Sequence, residues 1–136
     1  VSADAALDAE PALARARSAL DGGRPEEALA NARVALACDP TSTAAHLLAA
    51  RALNRLARYD DAVDELRRAV QSDPLTPTVH LDLGFAAVRV GDFASAHASW
   101  EHFLRLAPNA PETARARAAL ETLTRLMHLL DAHADG

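Results

Sequence analysis

The chain contains no lysine, and Cys38 is its single cysteine. Aromatic residues make up 4 % of its 136 positions, and glycine (5) and proline (7) are few. Each shortage excludes something. One cysteine rules out an internal disulfide framework and a zinc-finger-type site. Few aromatics and little Val, Ile or Thr argue against a β-sandwich. No apolar run approaches the ~20 residues that a membrane span needs. An excess of positive charge is also missing. The net charge is −5, so no global field invites nucleic acid, and no nucleic-acid partner is expected. Val1 to Glu10 carries acids and no basic, then apolar, secretory signal. That stretch and the unpaired thiol point to the cytoplasm, although a signal removed ahead of Val1 would leave the same sequence. What is present is helix-forming. There are 34 Ala, 20 Leu and 14 Arg, and 50 % of the residues are apolar. Such a chain is too apolar for disorder and is expected to be an all-α domain. Arginine to the exclusion of lysine reflects GC-rich coding and suggests a high-GC bacterium.

The decisive feature is an internal repeat. Pro40, Pro74 and Pro108 recur at a spacing of 34 residues. Each closes a similar phrase: Ala-Leu-Ala-Cys-Asp-Pro, Ala-Val-Gln-Ser-Asp-Pro and Phe-Leu-Arg-Leu-Ala-Pro. Small residues recur in step with them: Ala16, Ala50 and Gly84; Ala28, Ala62 and Ala96; Ala35 and Ala69, with Phe103 as the departure. Each period reads as two helices and two turns. Thr76 is placed to cap a helix that Pro77 opens, and Gly91 to stop it in the left-handed region. Asp92 then caps a helix running to about Leu106. Gly22-Gly23 and Pro25 play the same parts in the first unit. Asp8 is expected to cap a first helix beginning near Ala9, which leaves Pro11 harmless in a first turn. The second unit turns through Leu56-Ala57-Arg58-Tyr59 without glycine.

These residues resemble the tetratricopeptide repeat (TPR) family. Leu83-Gly84, Gly91-Asp92-Phe93, Ala96, Trp100 and Pro108 match its signature in the third unit. Tyr59, Ala62, Leu66, Ala69 and Pro74 match in the second, and Gly23, Ala28, Ala35 and Pro40 in the first. Ala12, His46 and His80 depart from it, standing where the family has an aromatic. The resemblance implies a right-handed superhelical solenoid of antiparallel helix pairs with about seven helices. The expected division is a tail over 1–8, repeats over 9–42, 43–76 and 77–110, and a capping helix with tail over 111–136. Buried stripes should include Leu29, Leu36, Leu53, Leu56, Leu66, Val70, Leu83, Ala87, Trp100 and Leu104. The last helix, from Pro111 to about His133, should bury Leu120, Leu123, Met127 and Leu130.

The family resemblance also implies a function: binding a peptide segment of another protein in a concave groove lined by the first helix of each unit. Carried over by repeat position, that groove takes Leu13, Arg17 and Leu20, then Leu47, Arg51, Asn54 and Arg55, then Leu81, Phe85, Val88 and Arg89. Arginine forks suit carboxylates and the apolar residues suit hydrophobic anchors, so the expected partner is an acidic and apolar protein segment. Clamping of chaperone C-termini through lysine is not expected in a chain without lysine. Two alternatives remain open. Leu126, Leu129 and Leu130 widen the apolar arc of the last helix and could pair two copies as a homodimer. The chain could also be the regulatory or targeting domain of a larger enzyme. Catalysis is not expected of the chain itself, nor is a cofactor or a metal. Its six histidines lack metalloprotease spacing. Cys38 has no histidine partner and reads as a buried structural thiol. Asp60, Asp61 and Asp64 sit at a helix start, where acids complement the dipole.

Overall fold

The computed structural model describes residues 3–135, with side chains described for residues 8–134. Over that span the chain forms seven α-helices and no strand: α1 (Ala3–Asp21), α2 (Pro25–Cys38), α3 (Thr43–Arg55), α4 (Tyr59–Ser72), α5 (Pro77–Arg89), α6 (Phe93–Leu106) and α7 (Thr113–Asp135). Helices α2, α4 and α6 have 14 residues each, and α3 and α5 have 13 each. Their starts repeat with the 34-residue period of the sequence.

The turns between paired helices share one conformation. Gly23 (φ 73°), Ala57 (φ 58°) and Gly91 (φ 78°), one period apart, occupy the left-handed region. The next N–H then folds back onto the helix just ended: Arg24 to the Ala19 carbonyl (2.8 Å), Arg58 to Leu53 (2.9 Å) and Asp92 to Ala87 (2.9 Å). These bonds satisfy carbonyls that a helix end leaves open. Asp92 caps α6 by accepting from the Ser95 N–H (3.1 Å), and Ser42 caps α3 by accepting from the Ala45 N–H (3.1 Å). Thr76 and Pro77 stand at the expected positions at the head of α5, but the Thr76 side chain does not make the capping bond.

The first helix differs from expectation. It extends back to Ala3, so Asp8 lies within it rather than at its head, and Pro11 is inside the helix. Of the expected tail, residues 1 and 2 lie outside the described residues and residues 3–8 are helical. An interior proline costs roughly 3 kcal/mol in an isolated helix. Here Ala9, Ala12, Leu13 and Ala16 on the same helix are buried. Packing of that face outweighs the local break.

Contacts divide the helices into two compact units at Pro74–Leu75. In the first unit α1 packs on α2 and α3, α2 on α3, and α3 on α4. Its recurrent alanines Ala16, Ala28, Ala35, Ala50, Ala62 and Ala69 have no exposed surface at all. In the second unit α5 packs on α6 and α6 on α7. Its core is Leu81, Ala87, Ala96, Trp100, Phe103, Ala116 and Leu123. Gly84 is a point of close approach. A Cβ there would lie 2.1 Å from Nε1 of Trp100. The indole N–H donates to the Leu81 carbonyl (3.3 Å), which holds the ring against the glycine.

Of the expected stripes, Leu29, Leu53, Leu66, Leu83, Ala87 and Trp100 are buried, whereas Leu36, Leu56, Val70 and Leu104 are half-buried. Cys38 is half-buried rather than enclosed, because it is the last residue of α2. Leu130 is another correction. Leu123 is buried and Leu120 and Met127 half-buried, but Leu130 is 45 % exposed. Helix α7 has 23 residues against 14 in α6, and its last turns run past the end of that partner.

Candidate functional site

The first unit gathers several expected groove residues around one cavity. Arg17, Leu20 and Asp21 of α1 and Ala44, Leu47, Leu48, Arg51 and Arg55 of α3 line a recess of about 330 Å³. Residues 17 and 51 are one period apart, as are 13 and 47, so successive first helices present equivalent faces. Arg17 reaches Glu10 at 3.6 Å, with both side chains exposed. Arg55 donates to the Leu20 carbonyl in the last turn of α1. It thus ties α1 to α3 as well as lining the recess. Asn54 is half-buried, and its Oδ1 is buried without a hydrogen-bond partner among the described residues. Leu13 is buried and belongs to the packing of the unit.

In the second unit Leu81 is likewise buried. Phe85 and Val88 are half-buried against the core, and Arg89 is exposed. Phe85 meets Trp100 edge to face, with ring centroids 4.9 Å apart. The Arg115 guanidinium of α7 lies 4.4 Å from the centroid of the same ring. Sequence reasoning missed Arg115. One more period from Leu81 leads to it, so the series 13, 47, 81, 115 could have found it. On α7, Leu126, Leu129 and Leu130 are 39 %, 64 % and 45 % exposed.

A polar pair lies inside the first unit. His46 is buried, with Nδ1 2.7 Å from Oε2 of Glu65 and Nε2 2.9 Å from the Pro40 carbonyl oxygen. Both partners are acceptors, so the protonated ring, donating from both nitrogens, satisfies them together. The hydrogen bond that His46 donates to Glu65 raises the His46 pKa, against an opposing effect of burial. The same bond lowers that of Glu65, which also receives Arg68 at 2.8 Å. Its repeat equivalent His80 is buried and lies 5.2 Å, ring to ring, from exposed His102, whose pKa is lowered chiefly by desolvation. His97 pairs with Glu101 on α6 at 3.0 Å. Among the described residues no cluster of three or more His, Cys, Asp or Glu is placed to hold a metal ion. No described helix is long and apolar enough to cross a membrane.

Paired helices, a fixed period and left-handed turns at Gly23, Ala57 and Gly91 define an α-helical repeat protein. Over residues 19–80 the chain matches the model of the tetratricopeptide repeat family, and the antiparallel helix pairs of each unit are those of that family's fold. A curated relative, the Hsp70-Hsp90 organizing protein of Triticum aestivum, is 33 % identical over 101 residues, which cover 74 % of this chain. The match spans 17 % of that relative's length. Two solved structures are similar in fold. The first TPR of Spaghetti (RPAP3) bound to the HSP90 peptide SRMEEVD superposes with a TM-score of 0.83 at 20 % identity, over 90 % of this chain and 98 % of the other. The type III secretion translocator chaperone SycD of Yersinia enterocolitica gives 0.84 at 18 % identity, over 94 % and 89 %.

Proposed function

We propose that the chain is a non-catalytic protein-interaction module that holds a segment of another protein on the first helices of its repeats. One observation carries the proposal: Arg17, Arg51 and Arg55 surround the same recess as Leu20, Leu47 and Leu48. Guanidinium forks next to apolar walls match a segment that alternates carboxylates with leucine-like anchors. Similarity to a TPR domain solved with a bound peptide supports the same use of the fold. So does similarity to a translocator chaperone. The second unit offers a comparable mixture in Phe85, Val88, Arg89 and Arg115.

The experiment is affinity capture with crosslinking, followed by charge reversal. Crosslinks should fall on α1 and α3. Arg51→Glu is expected to weaken capture by about tenfold, or ~1.4 kcal/mol, because one charge-assisted contact becomes a repulsion. Ellipticity should stay unchanged, since Arg51 is exposed. Unaltered affinity in a folded variant, or crosslinks confined to α2, α4 and α6, would remove this surface from consideration.

A further inference from the structure

A trough runs between α6 and α7 on the side of α7 away from Leu126 and Leu129. One part, of about 630 Å³, is lined by His97, Arg117, Leu120, Glu121, Thr124 and Arg125. A second, of about 330 Å³, shares His97 and Thr124 and continues past Met127 to Asp131. The repeat period shows what kind of occupant this trough would accept. Residues 49 and 53 of α3, and 83 and 87 of α5, are the buried residues Ala49, Leu53, Leu83 and Ala87. Their equivalents on α7 are the exposed, charged Arg117 and Glu121. The apolar second helix of another repeat would strand these charges. An occupant must therefore bring charges of its own, in a matching order.

The order is set by α7. Arg117, Thr124 and Asp131 are seven residues apart, two turns each, and so share one face with only about 20° of drift per step. Neither Arg117 nor Asp131 has an ion-pair partner among the described residues. These three positions read positive, small, negative along the helix; beside them Glu121 is already paired with Arg125 at 3.8 Å, and His128 also lines the trough. We propose that a second copy of this chain docks here, α7 against α7 and antiparallel, with the two Thr124 side chains at the crossing point. Reversing the direction of the second helix sets each Arg117 beside the Asp131 of the other copy. Both pairs form at once, as a two-fold interface requires. Threonine at the crossing lets the helices approach, and the half-buried Leu120 and Met127 supply apolar contact on either side. The interface is self-complementary in charge, whereas the leucine face, with Arg115 and His133 on the same side and no acid there among the described residues, is not.

Sedimentation of the full chain tests this. At an ionic strength of about 50 mM a reversible dimer is expected, weakening toward about 500 mM as the pairs are screened. Arg117→Glu, and separately Asp131→Arg, should raise the dimer dissociation constant by about tenfold or more. The double variant Arg117→Glu/Asp131→Arg should restore it to within about threefold, because the pairs reform with their signs exchanged. All these side chains are exposed, so ellipticity should be preserved. A monomer up to about 1 mM overturns the proposal. So does a dimer indifferent to the single reversals, or one that the double variant fails to rescue. A dimer lost on Leu129→Glu and untouched by the charge reversals would place the contact on the leucine face instead.

Discussion

Gly84 has no room for a methyl group, since its Cβ would enter the indole of Trp100, itself 3 % exposed and tied to the Leu81 carbonyl. Gly84→Ala is expected to cost about 1–3 kcal/mol by overpacking, read as a shift in the denaturation midpoint. Ala62→Leu, at a fully buried alanine of α4, should cost a similar amount. The His46–Glu65 pair gives a pH signature. The raised His46 pKa contributes stability fully present below the ordinary value of 6.5, lost as pH rises through the folded value. The lowered Glu65 pKa contributes stability present above 4.5, lost as pH falls through its folded value. Both contributions therefore coincide between about pH 4.5 and 6.5. The stability gap between the protein and His46→Gln, followed by urea denaturation, should be widest in that window and narrow on either side. A gap independent of pH would mean that His46 acts by shape alone. Sequence gave the small residues because their spacing is the repeat itself. It did not give the Glu65 contact, which joins residues on two helices through a position where the family usually has an aromatic.

At the scale of elements, the turns were legible and their chemistry uneven. Glycine stands at 23 and 91, but alanine at 57 adopts the same left-handed backbone. That conformation costs an L-residue roughly 1–2 kcal/mol, whereas glycine at the same place loses about 0.5–1 in chain entropy. Ala57→Gly should therefore gain about 0.5 kcal/mol, measurable by thermal or urea unfolding. A loss of stability would show that the turn is held by its neighbours and not strained by its residue. The first helix was less legible. Pro11 and Asp8 both advertise a helix start by local rules, and the burial of one helical face overrides them. Helix α7 was legible in type and in Leu123. Its overhang beyond α6 was not, because a hydrophobic period reports which face is apolar, not how far the neighbouring helix extends.

Over the whole molecule, an acidic chain gathers three of its 14 arginines at one place. Arg17, Arg51 and Arg55 meet at one recess, while Glu26, Glu27, Asp60 and Asp61 occupy the first turns of α2 and α4. Affinity for an acidic segment should accordingly fall as salt rises, despite a net charge of −5. The fold was readable because a repeat states its rule several times. The surface proposed for binding is read only by position: the same spacing that named Arg51 also named Leu13 and Leu81, which packing hides. Trp100 has one further use. It is the sole tryptophan and sits in the core of the second unit, so its fluorescence emission is a built-in label for residues 75–136. Ellipticity counts all seven helices. A destabilising change in α1–α4 reaches that label only as far as the two units unfold together, so the offset between the two transitions measures their cooperativity directly.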